Sequence, residues 1–450
     1  MAVVTAVLAL AVGATLVSAE RAETRADVLA QVEAAAARLV EDPTDTAARL
    51  GYAQVLLESG AFERARREVA PLLDMPEPSA DAVLLAARLA YFTGDYGEAE
   101  RLYGEILWRD PANPRAATGL VSTYYQTNAF ARAAELPEAV RSGVKLPTLD
   151  LMLAFGGEAP YRVAWAGEHE AVVTFLATAP LPVIEVTVAG RPLKAIIDTG
   201  ADCFILDSGI AGELGVRPVA SMMGTFAGGM QAEVGFARVD SLALGGVTLR
   251  SVPVSLLPTT PLTLGEHEIG GIVGTAVLRQ FLSTLDYPNG KLVLRERAPG
   301  AGEAFLAASE GRIADVVPFY LQGTHFILAH GSLNGRDGLL FHVDSGLAGE
   351  AAFGAPRQTL AYAGIPVPEV EVRENTVGGG GGGFATGTFE IAELGLGRLT
   401  RRDLVGSYGA LPPDSYWRLG FIVDGLISHN FLREHAWTFD FDGMKMVATW

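Results

Sequence analysis

Apolar positions recur at helical spacing from residue 24 to about residue 140, in a stretch rich in Ala, Leu, Glu and Arg. This periodicity predicts a series of amphipathic helices. From residue 171 the pattern changes to short Val, Ile, Leu and Phe runs broken by Gly, Pro, Asn and Asp, the mark of strands and hairpins. The expected fold class is therefore multidomain, an N-terminal α-helical array over residues 24–142 followed by an all-β part. Residues 143–170, with scattered Gly and Pro, are expected to connect the two.

The helical half repeats. Gly60-Ala61-Phe62, Gly94-Asp95-Tyr96 and Asn128-Ala129-Phe130 follow one another at a 34-residue period, and Ala65, Ala99 and Ala133 fall at one offset within it. Asp42-Pro43 and Asp110-Pro111, two periods apart, are expected at helix starts. This period resembles the tetratricopeptide repeat, in which a small residue sits where paired helices approach closely. The resemblance implies a surface for a protein partner or substrate. A spacer or dimerisation element without a ligand of its own is the alternative, and with under three full repeats the array is expected to lean on residues 24–41 or on the neighbouring domain.

Composition narrows the function. The 450 residues carry a net charge of −18, so there is no basic excess to neutralise phosphates and no nucleic-acid partner is expected. The single cysteine, Cys203, precludes an intramolecular disulfide. The seven His show no H-E-x-x-H spacing and join no Cys cluster, so no metal or cofactor is expected. Residues 2–19 are uncharged and mostly apolar and end in Val17-Ser18-Ala19. Residues 1–19 are expected to be a signal peptide or membrane anchor, placing the protein in the periplasm or at a membrane, with a buried first helix as the alternative.

The β half contains one pattern twice. Ile184, Val186 and Val188 alternate with Glu185 and Thr187, Gly190-Arg191-Pro192 makes a turn, and Leu193 to Ile197 leads into Asp198-Thr199-Gly200-Ala201. In the second copy Phe326 to Leu333 is a strand, Asn334-Gly335 a hairpin turn, and Leu339 to Val343 leads into Asp344-Ser345-Gly346-Leu347. Downstream, Gly271-Ile272-Val273-Gly274 matches Gly425-Leu426-Ile427-Ser428, and each is followed by a further hairpin.

A strand into D-T/S-G with a later glycine-bounded apolar segment, present twice, resembles the retropepsin- and pepsin-like aspartic peptidases as a tandem of bacterial retropepsin-like domains. The expected lobes are residues 171–297 and 312–450. The resemblance implies an all-β bilobal acid-protease fold and an aspartic endopeptidase in which Asp198 and Asp344 share a proton and activate a water against a protein or peptide substrate. It gives Thr199 and Ser345 the role of cross-linking the two loops, and Gly200 and Gly346 that of admitting backbone close to the carboxylates. Ala201, as in retroviral D-T-G-A, lacks a hydroxyl that would favour the ionised acid, and a pH optimum milder than that of pepsin is expected. Alternatives are a catalytically inactive peptide-binding scaffold that keeps the cleft, and two half-sites that act through dimerisation.

Each copy also has a Gly-rich stretch where the family places its flap. Gly228 and Gly229 stand in one, Gly380 and Gly381 in the other, and flexible loops without ligand contact are the alternative. Ser428 and Leu347 depart from the pattern and put close packing beneath Asp344 in question. Cys203 is expected to pack. His342 is expected to be structural or solvent-facing, Asp286 and Asp440 to be structural at matching hairpin positions, and Asp202 and Asp207 to serve the turn and the solvent face.

Overall fold

The computed structural model describes residues 24–226, 229, 231–259, 262–372, 385–411, 416–417 and 419–450. The amino-terminal stretch expected to be a leader or anchor lies outside these residues. Among the described residues no helix is long and apolar enough to cross a membrane.

Among the described residues the array begins with α1 (Arg25–Glu41), α2 (Thr46–Glu58), α3 (Phe62–Leu73), α4 (Ala80–Phe92), α5 (Tyr96–Arg109), α6 (Pro114–Gln126) and α7 (Phe130–Glu135). Their starts are set locally. Thr24 and Asp27 form a capping box on α1, and the side chains of Asp45, Ser79, Asp95 and Asn113 accept from the first free amides of α2, α4, α5 and α6. Gly60, Gly94 and Asn128 take φ of 81°, 80° and 59° in the turns of the repeat, a left-handed conformation that Gly and Asn tolerate best. Ala65, Ala99 and Ala133 are fully buried where neighbouring helices touch. One expectation fails: Asp42 and Asp110 cap the carboxyl ends of α1 and α5, and the helix starts lie three residues on, at Asp45 and Asn113. Proline at 43 and 111 sits in the intervening turn, and the Asp42 carboxylate is used there by Thr44.

The stretch between the halves is more ordered than its composition suggests. It contains a helix, Pro147–Ala154, with proline in its first turn, and a strand, Arg162–Trp165, that pairs antiparallel with Val247–Leu257. Among the described residues the strands form three sheets. The first is centred on Arg191–Ile197 and His267–Val273, the second on Arg336–Val343 and Gly425–Ile427. The third takes strands from both copies, joined where Phe281–Asp286 pairs antiparallel with Ala436–Asp440, so the two lobes share one six-stranded layer.

The helical array is not a separate body. Its apolar core is continuous with residues of both lobes, including Ile196, Ile205, Phe226, Leu340 and Phe421. The repeat turns make the contact. Phe62 sets its ring against Tyr320 at 4.8 Å and Phe421 at 5.0 Å, and Phe92 meets Phe421 at 5.5 Å. Tyr91 donates to the Gly323 carbonyl at 3.2 Å, and Asn128 Nδ2 donates to Gln280 Oε1 at 2.9 Å. Thus part of the array's surface is already covered by its own chain.

Candidate active site

Each aspartate lies at the end of a strand whose neighbour runs parallel to it. Val273 pairs with Ile197 and its carbonyl accepts from Asp198 N at 3.0 Å. In the second lobe Ile427 pairs with Val343 and accepts from Asp344 N at 2.9 Å. The two motifs then meet. Thr199 N donates to Ser345 Oγ at 2.9 Å, and Ser345 N donates to Thr199 Oγ1 at 2.9 Å across 146 residues of sequence. Thr199 Oγ1 passes its own hydrogen to Val343 O at 2.9 Å, and Ser345 Oγ donates to Ile197 O at 3.3 Å. These reciprocal bonds lock the two loops into one unit around a pseudo-twofold axis.

The carboxyl groups face each other over the glycines. A Cβ on Gly200 would stand inside the Asp344 carboxylate, and a Cβ on Gly346 would stand inside that of Asp198. Gly200 N donates to Asp198 Oδ1 at 2.7 Å and Gly346 N to Asp344 Oδ1 at 2.8 Å. Both aspartates are fully buried, and Oδ2 of each has no protein donor. Burial pushes the Asp198 carboxyl well above the ordinary carboxylate range, and the charge of the adjoining Asp344, near enough to share a hydrogen with it, pushes the same way. The geometry favours one proton held between two acids.

Several expected residues have other work. Asp202 and Asp207, expected to reach solvent, are buried. Asp202 accepts from Thr324 Oγ1 of the other lobe at 2.8 Å, and Asp207 caps the helix Ser208–Glu213 and accepts from Thr259 N. Their neighbours arrive from distant segments, which local turn chemistry does not announce. Cys203 packs in the core beside Ser255. His342 is buried next to His325, its Nε2 3.4 Å from the His325 carbonyl, and burial lowers the pKa of both rings. Asp286 and Asp440 accept from Asn289 N and Gly443 N in their hairpin turns. Leu347 packs on Leu426 and Ala410. Ser428 bonds the Ala351 carbonyl through Oγ and the Ala352 carbonyl through its amide, so the departure from glycine is accommodated.

Of the flap positions, Gly228, Gly380 and Gly381 lie outside the described residues. Gly229 is described, with φ 78° and its amide bonded to Phe226 O at 3.0 Å, between the paired strands Ala220–Thr225 and Gln231–Leu244.

Two contributors escaped sequence reasoning. Thr275 Oγ1 donates to the Thr199 carbonyl at 2.8 Å, and the position just after Gly274 was the available signal. Tyr287, from the shared sheet, is buried beneath the aspartates; burial raises its phenol, Ser345 pulls it down, and both aspartates raise it further. Its ring meets His429 at 5.0 Å, whose imidazole burial and Arg433 depress to about 4. Among the described residues no cluster of metal-ligating side chains is present.

Residues 184–277 match the aspartyl protease family, and residues 93–141 match a tetratricopeptide repeat family. No curated protein matches the chain. Among solved structures, a retropepsin-like aspartic protease from Rickettsia conorii is 17% identical, with 31% of this chain and 96% of that chain covered, at a TM-score of 0.21. MamA is likewise 17% identical, with 30% and 80% covered and a TM-score of 0.27. The family matches and the paired D-T-G and D-S-G loops together describe a chain that joins tetratricopeptide-like repeats to a two-lobed β domain whose first lobe matches the aspartyl protease family.

Proposed function

We propose that this protein is an aspartic endopeptidase that hydrolyses peptide bonds with a water activated between Asp198 and Asp344. The observation that carries the reading is the reciprocal packing of each carboxylate on the other motif's glycine, with Thr199 and Ser345 bonding across. Two acids this close and this buried do not both ionise, so the pair keeps one proton near neutral pH. The ionised member accepts a proton from the attacking water. The protonated member donates to the scissile carbonyl and stabilises the oxyanion of the tetrahedral intermediate.

The substrate is a protein or peptide in extended form, and the uncovered part of the helical array recruits it or a protein partner. Export or anchoring by residues 2–19 belongs to the same proposal, and cell fractionation of the full chain tests it.

The decisive experiment is cleavage of a denatured protein across pH 3–8, with and without a pepstatin-like inhibitor, by wild type, Asp198→Asn and Asp344→Asn. Each substitution is expected to lower kcat by roughly 10³-fold or more while the fold persists. Wild type that cleaves nothing yet binds peptides would leave the inactive scaffold as the correct reading.

A further inference from the structure

The strand that ends in Asp344 is tied to the helical array by a buried charge. Arg25, on the first turn of α1, is 5% exposed, and its Nη1 donates to Asp424 Oδ2 at 2.6 Å. Its Nη2 donates to the Gly338 carbonyl, near the start of the strand Arg336–Val343. Asp424 is fully buried at the foot of Gly425–Ile427, and the same Oδ2 accepts from Leu340 N at 2.7 Å. Asp424 N returns a bond to Leu340 O at 2.8 Å. Four residues beyond Leu340 the chain reaches Asp344. One turn along α1, Val28 packs with Tyr416 and Ile422, and Ile422 N donates to the Glu58 carbonyl of α2 at 2.8 Å.

We propose that Arg25 is a positioning residue for the second aspartate: by neutralising Asp424 and holding Gly338, it fixes the strand pair that carries Asp344, and the first array helix is thereby part of the catalytic apparatus. The catalytic consequence rests on the peptidase reading above, whereas the strand coupling does not. Charge-assisted bonds between buried groups are short and directional, and removing one partner leaves the other charge uncompensated. Without the guanidinium, Asp424 loses its counter-charge and the Leu340 amide loses a firm acceptor. In the first lobe Gly270 stands at the place of Asp424, so no side-chain carboxylate is available there, and the strand pair extends outward through Ile269↔Lys194.

The test uses the full-length protein as wild type, Arg25→Met and Arg25→Lys, with amide hydrogen exchange read separately for 336–347 and 191–201 and cleavage kinetics measured alongside. The expected result for Arg25→Met is exchange at least tenfold faster in 336–347 with 191–201 unchanged. A tenfold or larger fall in kcat with KM within twofold should accompany it, and Arg25→Lys should recover most of both. Equal acceleration in both segments, or none in either, overturns the proposal, as does unchanged kcat in Arg25→Met. If Arg25→Met does not fold, Arg25→Lys carries the test: it keeps the charge but not the fork, and exchange about threefold faster, confined to 336–347, is required. Wild type without cleavage but with the lobe-specific exchange pattern would sink the peptidase reading and leave the coupling standing.

Discussion

The two lobes deliver their aspartates by the same route but do not depend on the same supports. In the first, Arg191–Ile197 is backed by His267–Val273 from Ile269↔Lys194 to Val273↔Ile197, with one bulge between Ile269 and Gly271. In the second, the ladder spans Phe341↔Gly425 to Val343↔Ile427, Asp424 N adds one backbone bond to Leu340 O, and the Leu340 amide is taken by the Asp424 carboxylate. Contacts to the array divide the same way. The first lobe meets it partly through a polar bond, Asn128 to Gln280, whereas the second drives Phe421 between Phe62 and Phe92. A lobe that borrows its rigidity from a neighbouring helix array is stable only while that array is docked. A lobe with a longer ladder is less exposed to its loss.

That asymmetry is testable in stability, and its largest expected effect is at Phe421. The ring is fully buried, so Phe421→Ala should cost about 3–5 kcal/mol, the range for emptying an aromatic site that cannot collapse. Gln280→Ala, which breaks the bond from Asn128 and the Gln280 Nε2 bond to the Ala276 carbonyl, should cost about 1–2 kcal/mol. Urea unfolding of both variants decides it, and equal losses would mean that the array grips the two lobes alike.

A second difference is electrostatic. Four residues after the first catalytic motif's acid stands Asp202, while the matching place in the second lobe holds Ala348. Burial pushes the Asp202 carboxyl from its ordinary 3.8 up to about 6, against the pull of Thr324 and Arg279. The folded chain therefore holds a proton here that the unfolded chain releases, so the associated stability is complete below about pH 4 and is lost as pH rises through about 6. The shift corresponds to roughly 3 kcal/mol at most. Asp202→Asn keeps an acceptor for Thr324 and removes the titration. Between pH 4 and 7 wild type should lose up to about 3 kcal/mol more stability than this variant in urea unfolding. Parallel pH curves would mean that Asp202 is not desolvated.

What could be foreseen from sequence follows the range of the interactions. The change from helical to strand periodicity, the 34-residue repeat and the strands leading into Asp198 and Asp344 are local patterns, and the structure places a strand end at each acid. The helix starts at Asp45 and Asn113 were misplaced by one turn because Asp-Pro suits both a helix end and the turn that follows it. Arg25 could not be singled out, since its partner Asp424 is 399 residues away and a lone arginine on an amphipathic helix usually faces water. Asp202 was misjudged for the same reason: its burial depends on Thr324 from the other lobe. Local periodicity announces the elements, and only their docking announces which polar residues lose solvent.

The smallest expected effect separates the two lobes at a single position, Gly274 against Ser428. A Cβ on Gly274 would collide with the backbone carbonyls of Cys203 and Ala201, which are themselves engaged by Gly274 N and Thr275 N. Any side chain there must push the loop that carries Asp198, and Gly274→Ser should cost about 2–3 kcal/mol by overpacking. In the second lobe the loop after Asp344 runs differently, and the hydroxyl of Ser428 donates to the Ala351 carbonyl while accepting from Asn430 N at 3.1 Å as the cap of a short helix. Ser428→Ala loses those two bonds and nothing else, so about 1 kcal/mol is expected, with cleavage kinetics unchanged. Thermal unfolding of the two variants side by side checks the order. If Ser428→Ala proved the more damaging, the hydroxyl would be supporting the second aspartate loop directly, and the two lobes would differ at the motif itself as well as in what props it from outside.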